Sequence, residues 1–313
     1  MKSIITIVLA LFISVSSIAQ DTTATKKENK NKTLLGYFML NDSKPMTTYE
    51  GGLLIDNQTS YIPSKKTLEF MIQHRFGSIE KGFSDLFGIY GGANTRLALN
   101  YSIENWLQVG FGTTQGYKLQ DFSLKANLLK QSKDNKSPVD VTYYGNFSID
   151  ARAEDNFGED YKFGNRIAYF NELLVSRKFC DWFTMSVGGS FTHFNQADSL
   201  VGDPVAGKNY EHDKIALHFL GRIKFTGQSA LIINCDLPLK LEGIKEWDQL
   251  ANTPKYNFGF GYEVTTATHV FQIFASSANA LVPQYNVMYN QREFFKGSKN
   301  IFLGFNISRV WNF

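Results

Sequence analysis

Residues 301–313 read IFLGFNISRVWNF. Ile301, Leu303, Phe305, Ile307, Trp311 and Phe313 fall on one face with a single polar member, Arg309, while Asn306, Ser308 and Asn312 fall on the other. Successive side chains of a strand point to opposite faces, so this segment separates an apolar from a polar environment. A terminal strand of alternating apolar residues with a final aromatic is similar to the signal read by the machinery that assembles β-barrels in outer membranes. Phe305, Ile307, Trp311 and Phe313 would carry that signal. Arg309 departs from the pattern: a lipid-facing Arg costs about 2–4 kcal/mol at the bilayer midplane and about 0–1 near the interface. Four residues from the end, it is near enough to the rim for its side chain to snorkel.

The same period of two runs backward through the chain. Eleven further segments carry it: TLEFMIQHRF (67–76), NTRLALNYSI (94–103), WLQVGFG (106–112), DFSLKANLL (121–129), PVDVTYYGNFSID (138–150), RIAYFNELLVSRKF (166–179), WFTMSVGGSF (182–191), DKIALHFLGRIKF (213–225), ALIINCDL (230–237), YNFGFGYEV (256–264) and THVFQIFAS (268–276). In the first, Leu68, Phe70, Ile72 and Phe76 oppose Glu69, Gln73 and Arg75. RIAYFNELLVSRKF is less clean, because Phe170 and Leu174 lie on the polar side with Glu172. Links after even-numbered segments are brief: ENW, SKDNKS, CD, TGQS and TTA. Links after odd ones are longer, near residues 77–91, 152–165, 195–212, 239–255 and 277–299, with TTQGYK at 113–118 the exception. Alternating short turns and long loops, with an even strand count, is the connectivity of an outer-membrane barrel whose termini are periplasmic. Ten residues at about 3.3 Å each, tilted, cross the roughly 25 Å apolar band. A soluble β-sandwich also alternates with period two, but buries its apolar face.

The reading is therefore an all-β, antiparallel transmembrane barrel of about twelve strands, residues 67–313, closed by the C-terminal strand. Composition agrees: 27 Phe, 15 Tyr and 4 Trp against 7 Pro, at a mean hydropathy of −0.22, suit aromatic girdles outside and a polar interior. Lys2, the apolar run from Ile4 to Phe12 and the small residues before Gln20 form a signal peptide over 1–19, too short to span a bilayer as a helix. Cleavage is expected between Ala19 and Gln20, placing the mature chain in the outer membrane of a Gram-negative bacterium. Residues 20–48, with KKENKNK, lack periodicity and read as a flexible periplasmic tail. Residues 49–66, containing GGLLIDNQTSYI and Pro63, are either an extra strand or a segment folded into the lumen. Cys180 and Cys235 fall at different depths on strands that are not neighbours, which argues against a disulfide. A net charge of +3 without a basic stripe excludes nucleic acid as a partner.

The stretches LEFMIQHRFG (68–77) and NTRLALNYSIENWLQVGFG (94–112), with the LLK run at Leu128 to Lys130, resemble a family of outer-membrane β-barrel proteins of Bacteroidota, a β-barrel domain of unknown function. The resemblance covers about residues 49–313 and implies the fold and the location, without an activity.

The alternation sends Glu69, Arg75, Arg96, Lys125, Asp140, Asp150, Glu172, Arg222, Lys224, Asp236 and Glu263 inward. Buried charges must be paired, so for these residues a salt-bridge network filling the lumen is favoured over a selectivity ring lining a pore. For the whole chain the leading expectation is a narrow channel for a small solute, the alternative a filled, non-conducting barrel with a structural or partner-docking role, and the remote alternative a lipid-active hydrolase. His74 falls on the lipid face, where the outer-membrane phospholipase, another twelve-stranded barrel, carries a Ser–His pair. No sequence run matches that enzyme's motifs, and catalysis is not expected. Glu154, Asp155, Glu159 and Asp160 offer oxygen ligands but lack calcium-loop spacing, so a solvated acidic loop is favoured. Tyr285, Tyr289, Phe294 and Phe295 could grip a ligand, but an interfacial girdle or a fold over the mouth is favoured. Neither a cofactor nor a metal is expected. The partners expected are outer-membrane lipid, the barrel assembly machinery, and a small solute or a periplasmic protein.

Overall fold

A computed structural model describes residues 44–196, 212–239 and 254–313. The signal peptide and most of the expected tail (1–43) lie outside the described residues. The chain begins with a two-residue hairpin, β1 (Leu53–Leu54) and β2 (Asn57–Gln58). Twelve longer strands follow: β3 (Thr67–Ser78), β4 (Asn94–Glu104), β5 (Leu107–Thr114), β6 (Leu119–Leu129), β7 (Asp140–Asp150), β8 (Ile167–Lys178), β9 (Phe183–Phe194), β10 (Asp213–Lys224), β11 (Ser229–Pro238), β12 (Asn257–Thr265), β13 (His269–Ser276) and β14 (Phe302–Asn312). A short helix, α1 (Pro283–Tyr289), lies between the last two, with Pro283 in its first turn, where a missing N–H costs nothing.

β3 to β14 pair antiparallel in sequence order, and β14 returns to β3, with Ile307 opposite Ile72 and Trp311 opposite Leu68. This is a closed barrel, so no edge strand is left to aggregate. Each of the twelve alternating segments corresponds to one strand. The burial pattern is that of a barrel and not of a sandwich: on β4, Leu97 and Leu99 are 43% and 47% exposed while Arg96 and Ser102 are 6% and 0% exposed. Polar residues occupy the inside, apolar residues the outside.

The C-terminal strand takes the expected faces. Asn306 and Ser308 are buried inside, and Arg309 is exposed outside with its guanidinium 4.8 Å from the centre of the Trp311 ring. Stacked there, near the short-turn rim, Arg309 keeps its charge at the interface instead of the bilayer midplane. The aromatic His74–Phe305 and Phe76–Phe305 contacts, at 5.0 and 6.0 Å, seal the outer side of the β3–β14 seam. Cys180 is exposed at a turn, Cys235 is on β11, and both are free.

A barrel closed in this way resists detergent until heated. Unheated protein in sodium dodecyl sulfate is expected to migrate faster than boiled protein; identical mobility would contradict closure.

Candidate functional site

The lumen is where the inward residues meet, and among the described residues two pieces of the chain occupy it. Residues 44–66 enter from the end carrying the short turns. Pro45 bridges to Ser132, and Met46 N–H donates to Gln131 O (2.8 Å) in the β6–β7 turn. Residues 44–48, assigned to the flexible tail by composition, are thus fastened to the barrel; polarity alone does not report a bond made by the backbone. Tyr49 then meets Ser186 of β9 through its hydroxyl (2.6 Å). Burial pushes the Tyr49 phenol well above its ordinary pKa, so it stays neutral. Leu54 and Ile55 pack with Tyr49 against Leu174, Leu220, Ile232 and Phe274 of the inner wall. Of the two readings left open for residues 49–66, the structure shows the lumen segment. Phe170 and Leu174, the two apolar residues that spoil the alternation of β8, point inward because they meet these insertions.

The tip of the hairpin is held at the closing seam. Arg75 of β3, fully buried, donates to Asp56 Oδ1 (2.6 Å), Ile55 O (3.1 Å) and Asn306 Oδ1 of β14 (3.1 Å), with its guanidinium 4.3 Å from the Phe274 ring centre. Asp56 Oδ2 accepts from Ser276 and Asn257 (2.7 and 3.2 Å). One cation thereby joins the first and last barrel strands to the inserted segment. Asn57 donates to Asp236 (2.5 Å), Ser60 to Asp140 (2.7 Å), and Lys125 to Gly52 O (2.8 Å). Glu69 also converges on Gly52, where a Cβ would lie 3.2 Å from its carboxylate.

From the opposite end, α1 closes the mouth. Gln284 donates to Asn146 Oδ1 and Ser148 Oγ of β7 (both 2.8 Å), and Val287 packs on Tyr144, Phe170 and Ala216. Tyr285 and Met288 join Phe194, Leu119 and Ala168. A cavity of about 10 Å³ between Asp150, Arg166, Phe194 and Tyr285 holds about one water at most. Tyr289 also lies in this mouth against Phe194, whereas Phe294 and Phe295 pack with Phe258.

All eleven charges named from sequence face inward. Ten are at most 6% exposed, while Lys224 is half-buried at the short-turn rim, 3.6 Å from Glu50. Arg222 pairs with Glu263 (2.7 Å), and Asp150 with Arg152 (2.6 Å). Three of the principal partners were not among those named: Asp56, Asp121 and His218. Asp121 shares parity with Lys125, and His218 with Arg222, so the alternation contained both; Asp56 is visible only once the hairpin is placed. Arg96 grips Asp121 with two bonds (2.9 and 2.6 Å) across β5, directly over Gly112, where any Cβ would collide with both partners.

His218 donates through Nδ1 to Asp236 (2.8 Å), and its Nε2 lies at hydrogen-bond distance from Ser190 Oγ (2.7 Å). Ser, His and Asp in this order are the parts of an acyl-transfer triad. Here, however, β9 is laddered on both sides, so its N–H groups are spent and cannot stabilise an oxyanion. Asp236 is moreover capped by Asn57 of the inserted segment. The chain of bonds holds the hairpin to the wall. His74 bonds Thr95 (2.8 Å) on the outside. The acidic loop residues Glu154, Asp155, Glu159 and Asp160 are exposed, and among the described residues no group of three or more His, Cys, Asp or Glu is placed to hold a metal.

The model of a family described as a membrane bound beta barrel domain (DUF5777) matches residues 49–311. The chain belongs to this family. The match starts at Tyr49, so the inserted hairpin is part of the DUF5777 domain. Among solved structures, the NanC porin is 11% identical with a TM-score of 0.46, covering 79% of this chain and 99% of that one. An outer membrane channel from Pseudomonas putida F1 (COG4313) is 12% identical with a TM-score of 0.46, covering 80% and 97%. The KdgM porin is 7% identical with a TM-score of 0.41, covering 79% and 99%. No curated protein sequence matches the chain.

Two substitutions test the geometry. Arg75→Ala leaves Asp56 buried without its cation, and is expected to cost about 3–5 kcal/mol in urea unfolding, whereas Arg309→Ala on the outer rim costs about 0.5 kcal/mol or less. Gly112→Ala is expected to cost about 1–3 kcal/mol by displacing the Arg96–Asp121 pair; Gly221→Ala, with nothing within 4 Å of the added methyl, should be nearly silent by the same measurement.

Proposed function

We propose that this DUF5777 barrel sits in the outer membrane of a Gram-negative bacterium of the Bacteroidota, short turns inward, and is shut in its resting state, acting as a structural or partner-docking component and not as an open pore. The observation that carries this reading is the hairpin: residues 44–62 run through the lumen and bond to the wall from Ser132 at one end to Arg75 and Ser276 near the other. The inserted segment starts at the short-turn end, where Met46 is bonded to Gln131, and it is at that end that a periplasmic protein would dock. The lipid-facing row Phe305, Ile307, Trp311 and Phe313 serves the assembly machinery, after removal of residues 1–19. We read the Ser190–His218–Asp236 chain as structural, since the N–H groups of β9 are spent in its two ladders and Asp236 is held by Asn57.

A second reading, passage of a small solute after the hairpin withdraws, is favoured by one observation. Behind the hairpin the wall is polar, and Glu172 Oε1, Thr192 Oγ1 and both amide atoms of Asn234 have no protein partner. A wall built only to pack would satisfy or omit such groups.

Planar bilayer recordings separate the two. The native protein is expected to give no steady conductance over a wide voltage range, and steady native conductance would overturn the closed resting state. A variant lacking residues 44–62 that folds by gel mobility and conducts would show that the wall can carry a solute once the hairpin is gone, as the second reading requires; a folded variant that remains silent would overturn that reading.

A further inference from the structure

The loop after β3, residues 79–92, reads IEKGFSDLFGIYGG and exposes its apolar residues. Phe83 is 85% and Tyr90 78% exposed, with Leu86, Phe87 and Ile89 also open. The loop is nonetheless firmly built. Phe87 N–H donates to Gly82 O (2.7 Å), Tyr90 N–H to Asp85 O (3.1 Å), and Gly88 N–H to the Asp85 carboxylate (3.0 Å). Gly77 N–H, at the end of β3, donates to Gly88 O (2.9 Å), and Gly88 at φ +87° lies so close to Gly77 that a Cβ would collide with its carbonyl. Leu86 and Phe87 are consecutive left-handed residues, at φ +50° and +55°. That backbone is disfavoured for any residue with a Cβ, and clusters where function demands it. Here it holds aromatic and aliphatic side chains out instead of folding them in.

What surrounds the loop indicates what covers it. The outer face of β3 leads into it through Phe76, in ring contact with Phe305 of β14. Ile79 N–H donates to Ile301 O across the seam (3.0 Å), and Phe295 of the neighbouring loop is 72% exposed beside Phe258. The apolar surface is therefore continuous with the lipid-facing sector formed by β12, β13, β14 and β3. Residues 79–92 fall short of the roughly 20–30 residues that each side of a stable protein interface supplies, whereas aromatic side chains such as Tyr90 are enriched at the membrane–water interface.

We infer that the 79–92 loop is a lipid anchor: Phe83 and Tyr90 enter the acyl-chain and headgroup boundary of the leaflet at the long-loop end, extending the lipid contact of the β3–β14 seam beyond the strands.

Nitroxide labels test this on the full chain in phospholipid bilayers, with Cys180→Ser and Cys235→Ser removing the native thiols. Labels are placed through Phe83→Cys and, as a second site, Tyr90→Cys, with Leu97→Cys as the lipid-facing reference and Glu159→Cys as the aqueous one. Heat-modifiable mobility verifies folding. At the loop sites, collisions with oxygen should exceed those with a nickel chelate, as at Leu97. A collision pattern like that at Glu159 would overturn the proposal by placing the loop in water. Shielding from both reagents would overturn it by showing a protein, such as a second copy, over the patch.

Discussion

A guanidinium buried without access to water sits at the one joint that makes this barrel a barrel. Arg75 lies on the first strand, reaches Asn306 on the last, and carries its charge to Asp56 at the tip of the inserted hairpin. Such an ion is tolerable inside a protein only when its donors are matched, because desolvation of an unpaired charge exceeds what packing returns. Both terminal nitrogens are matched, Nη1 at the seam and Nη2 by the hairpin, while Nε has no protein partner, so closing the wall and filling the lumen are coupled through one group. Neither half alone satisfies the group.

The rest of the interior follows the same logic. Arg96 with Asp121 and Arg222 with Glu263 each tie neighbouring or next-neighbouring strands, and His218 links β9 and β11 through Ser190 and Asp236. The inserted segment then caps what the wall leaves over: Asn57 on Asp236, Ser60 on Asp140, the Gly52 carbonyl on Lys125. The wall thus holds a polar frame into which a short peptide with the right donors fits. An opening device and a permanent filler would share these contacts; they differ in whether anything draws the peptide out from the short-turn end, where it emerges beside Ser132.

Much of this was legible in the sequence because period-two alternation is a physical property of any wall with unlike sides. The strands, their order, the turn-and-loop rhythm and the inward faces of the eleven charges all follow from it. Asp121 and His218 obey the same parity. What parity cannot give is what occupies the space inside. The hairpin at residues 53–58 is too short to show a period, and its partners lie as much as 251 residues away, as for Ile55 and Asn306. Two traces were present: the apolar stretch GGLLIDNQTSYI before the first barrel strand, and Phe170 and Leu174, apolar on a polar face, which mark where an inserted segment packs. The 79–92 loop shows in the sequence as a long link, but its conformation does not, since left-handed Leu86 and Phe87 run against residue preference.

The central claim is that the native lumen is occupied by the N-terminal hairpin. Thiol reactivity at Leu54→Cys, in a background carrying Cys180→Ser and Cys235→Ser and reconstituted in bilayers, tests it most directly. The filled barrel predicts that a water-soluble maleimide fails to label this position from either side until the protein is denatured. Labelling of the folded barrel at the rate of an exposed thiol would contradict it.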